Sequence, residues 1–419
     1  MRKVLLYSLL LVAGLIGSQL LAGAGAMLIK LSTMFCLSFI MIHVGYEFEV
    51  DKSRPRQYAW DYVVAMTAAA FPWVFCAMYF VFLMAPAEMW HSGDLWKEAL
   101  LEARFASPTS AGVLFSMLAA AGLAATWVFK KARVLAIFDD LDTILLMIPL
   151  KMMMVGLRWQ LIVIVIVIGV LLWAAWKYLH VARLPNSWRW VMLYAAVITG
   201  VCETAYLVSR AIDDAVPVHL EVLLPAFVLG CMMARPAGHD PHVDDARVGH
   251  EEGPETPQEQ FVATIVSACF MVLVGLSMPP LQGAVPAAIV EPIEKPALAY
   301  AGISTEALAA KKQFPGWSVI AAHVLVVTLL SNVGKMFPAL CYRRDANLKE
   351  RVALSIGMFP RGEVGAGVLV VSLSYGLAGP SLTVAVLSLA LNLLLTGVFI
   401  AVVRRLIAST ASLPAQTAG

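Results

Sequence analysis

Three aspartates, Asp139, Asp140 and Asp142, sit within four positions of one another in the apolar run VLAIFDDLDTILLMIPL at residues 134–150. An ionised carboxylate at the centre of a membrane helix costs roughly 2.5–3.5 kcal/mol even on the lenient insertion scale. Three together cost about 8–10 kcal/mol, and each neighbouring Leu, Ile or Val recovers only about 0.3–0.6 kcal/mol. Such a segment is tolerable where the acids face a water-filled cavity or a positive partner. The partners a buried acid takes are a proton, a metal cation or a basic side chain. The pattern therefore reads as a cation site. Two basic residues, Lys335 and Arg361, also lie inside apolar spans. Asp139 and Asp142 are one helical turn apart on one face, whereas Asp140 is rotated by about 100°.

The rest of the chain must hold these charges in lipid. Of its 419 residues 60% are hydrophobic and 14% charged, against about 25% charge in a soluble domain. With a mean hydropathy of +0.80, this is an integral membrane protein. A net charge of +2 argues against nucleic acid as a partner. The first 22 residues start with Arg2 and Lys3, but their apolar stretch outruns a signal peptide and reads as the first membrane helix. The six cysteines form no C-x-x-C pair and behave as small hydrophobes. No phosphate-binding G-x-x-x-x-G-K-[ST] loop is present, so ATP-driven pumping has no support, and no cofactor or enzymatic chemistry is indicated.

A bilayer core needs about 20 apolar residues per helix. The polar punctuation gives twelve spans, at about 4–22, 26–47, 58–85, 97–119, 127–150, 159–179, 188–210, 218–234, 260–281, 317–342, 350–375 and 381–406. The long open loops are 235–259, which reads as a flexible linker, and 282–315. An even count puts both termini on one side. Basic residues favour that side by roughly two to one, which makes it cytoplasmic.

Two spans are interrupted. The fourth carries Ser107-Pro108-Thr109, and the eleventh Gly357-Met358-Phe359-Pro360-Arg361-Gly362-Glu363. Proline removes a backbone donor and clashes with the preceding turn. Unwound backbone at membrane depth survives only where protein or a water cavity satisfies it. A pair of broken helices in the two halves of a chain points to a transporter binding site. Spans 3–5 then match spans 10–12 as an inverted repeat. The first half contributes the aspartates and the second contributes Lys335.

Taken in order along nearly the whole chain, these segments resemble the monovalent cation:proton antiporters, the sodium/proton exchanger superfamily. LSFIMIHVGYEFE (37–49) resembles the family's helix ending in Gly-x-Glu, here Gly45-Tyr46-Glu47. ARFASPTSAGVL resembles its first broken helix, and FDDLD its ion-binding motif, in which the second acid of the pair, Asp140, is the cation ligand. LLPAFVLGCMM and FMVLVGLSM are similar to two further family helices. SNVGKMFPAL resembles the lysine-bearing helix and GMFPRGEVGAGVLV the second broken helix. The resemblance implies an all-α polytopic membrane protein of about 12 transmembrane helices, with an inverted-repeat antiporter fold and two crossing broken helices. Residues 1–57 would hold scaffold helices 1–2, 58–158 the first core repeat with the Asp-Asp motif, 159–316 scaffold helices 6–9 and 317–419 the second core repeat. It also implies a homodimer in the inner (plasma) membrane. Members with two acids in the motif and a lysine in the tenth helix are typically electrogenic and exchange two protons for one sodium or lithium ion. Asp142 departs from the family pattern.

The chemistry expected of the site follows from the charges. Lys335 keeps its proton while paired with Asp139. A sodium ion entering beside Asp140 repels the ammonium and takes over the carboxylates, and an ammonium buried without its counter-charge sheds its proton. Cation and proton then bind alternately. Thr109 and Ser107 are expected to add hydroxyl ligands, since an all-oxygen site suits a hard cation. Arg361, Glu363 and Glu47 are expected to support the crossing by neutralising helix ends. Glu203 reads as a hydrogen-bonded neutral acid or a pH-sensitive gate, and His43 and His323 as hydrogen-bonded core residues. Three function classes remain: a sodium (or lithium)/proton antiporter, with a potassium/proton antiporter as its nearest variant; a sodium-coupled organic-anion symporter; and a channel or non-transporting sensor.

Overall fold

The computed structural model describes residues 2–21, 25–46, 48, 55–155, 159–212, 222–234, 257–278, 315–374, 377 and 379–411. Nearly all of them are helical, and the described extended structure is an isolated bridge between Ala182 and Met233. The helices are α1 (Arg2–Leu21), α2 (Ala26–Tyr46), α3 (Pro55–Tyr79), α4 (Gly93–Ala103), α5 (Ala111–Ala120), α6 (Trp127–Val155), α7 (Trp159–Lys177) and α8 (Trp188–Ile212). They continue with α9 (Leu223–Met232), α10 (Pro257–Leu276), α11 (Trp317–Gly334), the single turn α12 (Pro338–Cys341), α13 (Leu348–Gly357), α14 (Glu363–Ser374) and α15 (Pro380–Ala411). A π-helical turn, Phe80–Met84, extends α3.

Eight of these helices are long and apolar enough to cross a membrane on those grounds alone. The other four expected spans fall short for physical reasons. Two are broken, as α4–α5 and α13–α14; α6 carries the aspartates and Lys130, Lys131 and Arg133; and α9 has only 10 residues. Loop 235–256, the greater part of 282–315, and Glu47 lie outside the described residues.

The chain forms two compact units. The first comprises Met1–Ile29, Pro55–Gly156 and Met271–Gly419, and the second Lys30–Arg54 and Leu157–Phe270. In the first, α3 packs on α6 and α11, and α15 packs on α11, α13 and α1. In the second, α9 lies against α7 and α8. There Gly45 of α2 and Gly230 of α9 bring two backbones together, since a Cβ on either would sit 2.2 Å from a carbonyl oxygen of the other helix. Also within the second unit, Glu203 on α8 is a partner of Lys30 on α2 at 2.7 Å, and Lys30 stands 4.6 Å over the Tyr206 ring. This corrects the neutral-acid expectation: the acid is ion-paired. The partner comes from 173 residues away and leaves no local signature. In the first unit, His323 of α11 shares a 2.8 Å hydrogen bond with the Tyr79 hydroxyl of α3.

Candidate functional site

The site is built where the two breaks meet. Pro108 has no N–H to continue a helix, and α5 restarts at Ser110, whose side chain caps the Val113 N–H. The α13 helix stops at Gly357, the chain passes through Pro360, and α14 begins at Glu363. The unwound segments satisfy each other, as buried backbone must. The Ser110 N–H donates to the Pro360 carbonyl at 2.9 Å, and the Thr109 hydroxyl to the Met358 carbonyl at 2.9 Å. Gly362 permits this approach, because a Cβ there would stand 2.8 Å from Ser110 Oγ.

Asp139 lies against this crossing. The Lys335 ammonium donates to both its oxygens, at 2.6 and 2.8 Å, and the Thr109 N–H donates to Oδ2 at 2.7 Å. Both charged side chains are fully buried. The electrostatics of the helix ends suit this pair. Lys335 caps the C-terminus of α11, where partial negative charge collects, and Asp139 meets the loop that opens the N-terminus of α5. Gly334, next to the lysine, lets α11 touch α3, with a Cβ there only 2.5 Å from the Pro72 nitrogen.

The other expected residues divide clearly. Asp140 is buried on the adjacent flank of α6, within electrostatic reach of Lys335. Ser107 is buried in the first break. Asp142 is also buried, but it turns toward the Tyr62 hydroxyl of α3 while remaining in the field of Asp139 and Lys335. Arg361, fully buried, donates to the Ser331 carbonyl of α11 and the Phe359 carbonyl of its own break, both at 2.9 Å. It therefore ties the second break to the lysine-bearing helix through two backbone carbonyls. The Glu363 side chain, like Glu47, lies outside what is described.

What the geometry offers is a buried, oxygen-lined crossing with two acids, one amine and four opposed helix ends. A family model described as "sodium/hydrogen exchanger, transmembrane" matches residues 3–406. The chain belongs to the sodium/hydrogen exchanger family. It is a multi-pass membrane transporter that performs cation/proton antiport, not an enzyme. A comparison with curated proteins found no match.

The sequence pattern of this exchanger does not mark a second buried charged cluster. Asp61 on α3 and Lys131 on α6 are both buried, with the Tyr342 hydroxyl on the same carboxylate. Asp61 lies near the start of its span and Lys131 in a basic run, where charges ordinarily face headgroups. Each residue alone therefore reads as interfacial. The one available signal is that Asp61 is an acid set among aromatic and aliphatic neighbours, in YAWDYVVAM.

Proposed function

We propose that the protein is a secondary antiporter exchanging sodium or lithium for protons by alternating access, and that the exchange moves net charge. The observation that carries this reading is the two-oxygen contact of Lys335 on Asp139 beside Asp140. A pair that is fully buried holds one proton on the amine only while the carboxylate stays ionised and uncommitted. A sodium ion binding at Asp140, with oxygens from Thr109, Ser107 and the carbonyls of the break around it, competes for the same negative charge. Asp140 carries the other proton before the ion arrives and loses it on binding, and the amine then gives up its own, so the acid and the amine together release two protons for one cation. Asp142 and Arg361 act beside the ion, the first by adding negative field and the second by holding the crossing closed. Residues 58–158 and 317–419 supply the moving core and the remaining helices the scaffold. The protein works as a homodimer in the cell's inner membrane with both termini cytoplasmic, the side favoured by its basic residues.

The test is the collapse of an imposed pH gradient in proteoliposomes when sodium, lithium or potassium is added separately. Sodium or lithium should dissipate the gradient and potassium should not. Clamping the membrane potential with valinomycin and potassium should change the sodium-driven rate. A response to potassium alone makes the protein a potassium/proton antiporter. A rate indifferent to potential makes the exchange electroneutral and Lys335 structural.

A further inference from the structure

The same elements that carry the exchange site hold a second buried ion pair. Asp61 of α3 is 1% exposed and accepts from Lys131 of α6 on both oxygens, at 3.1 and 3.0 Å. The Tyr342 hydroxyl, directly beyond α12, donates to Asp61 Oδ1 at 2.7 Å. Lys131 stands 4.7 Å above the Tyr342 ring, and Trp127 meets that ring edge-on at 5.9 Å.

All of these residues belong to the first compact unit. The cluster is therefore no latch between the two units. Stability alone is also a weak explanation, because replacing a buried ion pair by apolar groups of like volume is often neutral or stabilising. Charge-assisted hydrogen bonds with several donors on one carboxylate do supply fixed geometry. Here that geometry has a specific address. Lys131 precedes Asp139 by eight residues on α6, about 12 Å of helix rise. Tyr342 follows Lys335 by seven residues. One carboxylate on a third helix thus accepts from both segments that bear the charges of the exchange site.

We propose that Asp61 is a positioning residue: by binding Lys131 and Tyr342 together it sets α6 against the end of α11, and so sets the contact of Lys335 with both oxygens of Asp139. The inference rests on the Asp139–Lys335 pairing used in the exchange reading above. Functional constellations of this kind must be held to within about 0.5 Å. A contact at 2.6 and 2.8 Å has little slack before hydrogen-bond geometry is lost.

The gentlest perturbation is Tyr342→Phe, which keeps the ring beneath Lys131 and removes only the hydroxyl. Asp61→Asn is the second, leaving an acceptor for Tyr342 but taking the charge from Lys131. The coupling between Asp139 and Lys335 is read from melting temperatures in detergent of the parent, Asp139→Asn, Lys335→Met and the double variant. The same cycle is then repeated in each new background. We expect the coupling to fall by half or more in both backgrounds. In transport, the KM for the driving cation should fall about fivefold, as Lys335 competes less well. Coupling of equal size in all backgrounds, whatever the loss of overall stability, reduces the cluster to a staple and overturns the proposal. If the parent itself shows no coupling, the Asp139–Lys335 pairing fails and the proposal falls with it.

Discussion

Replacing Asp139 by Asn tests the centre of the reasoning. The amide oxygen can still accept the Thr109 N–H, which is 2.7 Å from Oδ2 in the native site, but the amide nitrogen then faces an ammonium that lay at 2.6 Å from the other oxygen. Lys335 is left fully buried without its counter-charge, and stranding one member of a buried pair costs about 3–5 kcal/mol. Loss of the proton limits that penalty. A free lysine titrates near 10.4, so neutralising it costs about 4.6 kcal/mol at pH 7 and about 1.9 kcal/mol at pH 9, from 1.36 kcal/mol per pH unit. The sign follows from proton counting: the unfolded variant binds one more proton than the folded one, so its stability rises with pH. The deficit of Asp139→Asn against the parent should therefore shrink between pH 7 and pH 9. Adding Lys335→Met should recover stability at pH 7 by removing the stranded group. The measurement is the melting temperature of the parent, Asp139→Asn, Lys335→Met and the double variant in sodium-free detergent buffer at both pH values. Additive losses, or a deficit that does not change with pH, would refute the pairing and make Asp142 the better candidate for the lysine's partner.

Asp140→Asn should abolish coupled exchange in proteoliposomes while leaving the fold intact, because an amide cannot trade a proton for a cation; robust cation-driven proton movement would remove Asp140 as the ligand. Thr109→Val should cost about 1 kcal/mol through loss of the hydroxyl bridge to Met358, and it should weaken cation binding, both measurable as a lower melting temperature and a smaller stabilisation by added sodium. Gly334→Val should destabilise by about 1–3 kcal/mol or more, since its Cβ would press on the Pro72 backbone, whereas Gly169→Ala in α7, with open space around it, should be nearly neutral in the same melting assay. Glu203→Gln should have only a small effect, because its partner Lys30 is about a third exposed and can reach water.

The architecture was legible in the sequence to the extent that lipid imposes it. Long apolar runs such as the α7 and α15 segments read as spans, and the prolines mark the two breaks, Pro108 between Ser107 and Thr109 and Pro360 between Gly357 and Gly362. The acids at 139, 140 and 142 and the lysine at 335 stand out because charge in such runs is so costly. What pattern cannot supply is pairing across the bundle. That Asp142 faces Tyr62, that Lys30 meets Glu203, and that one carboxylate gathers Lys131 and Tyr342 depend on which helices touch and at what rotation. Near the ends of spans the same residue types are ordinarily solvated, so their sequence signal is that of any interfacial charge.

The length of chain between Asp139 and Lys335 bears on how the molecule is made. The two residues are 196 positions apart. At a synthesis rate of about 5–20 residues per second, the acid emerges roughly 10–40 s before its amine. During that interval α6 carries its carboxylates with no lysine to receive them, so it must hold them as neutral acids or keep them wet. A neutral carboxyl still lacks its hydrogen-bond partners there and a wet one keeps water beside the helix, and α3, already made, offers Tyr62 and Asp61 rather than a compensating charge for Asp139. Stable lodging of α6 is therefore a collective event that awaits α11, and biogenesis of this bundle runs through a partly hydrated intermediate whose lifetime is set by translation.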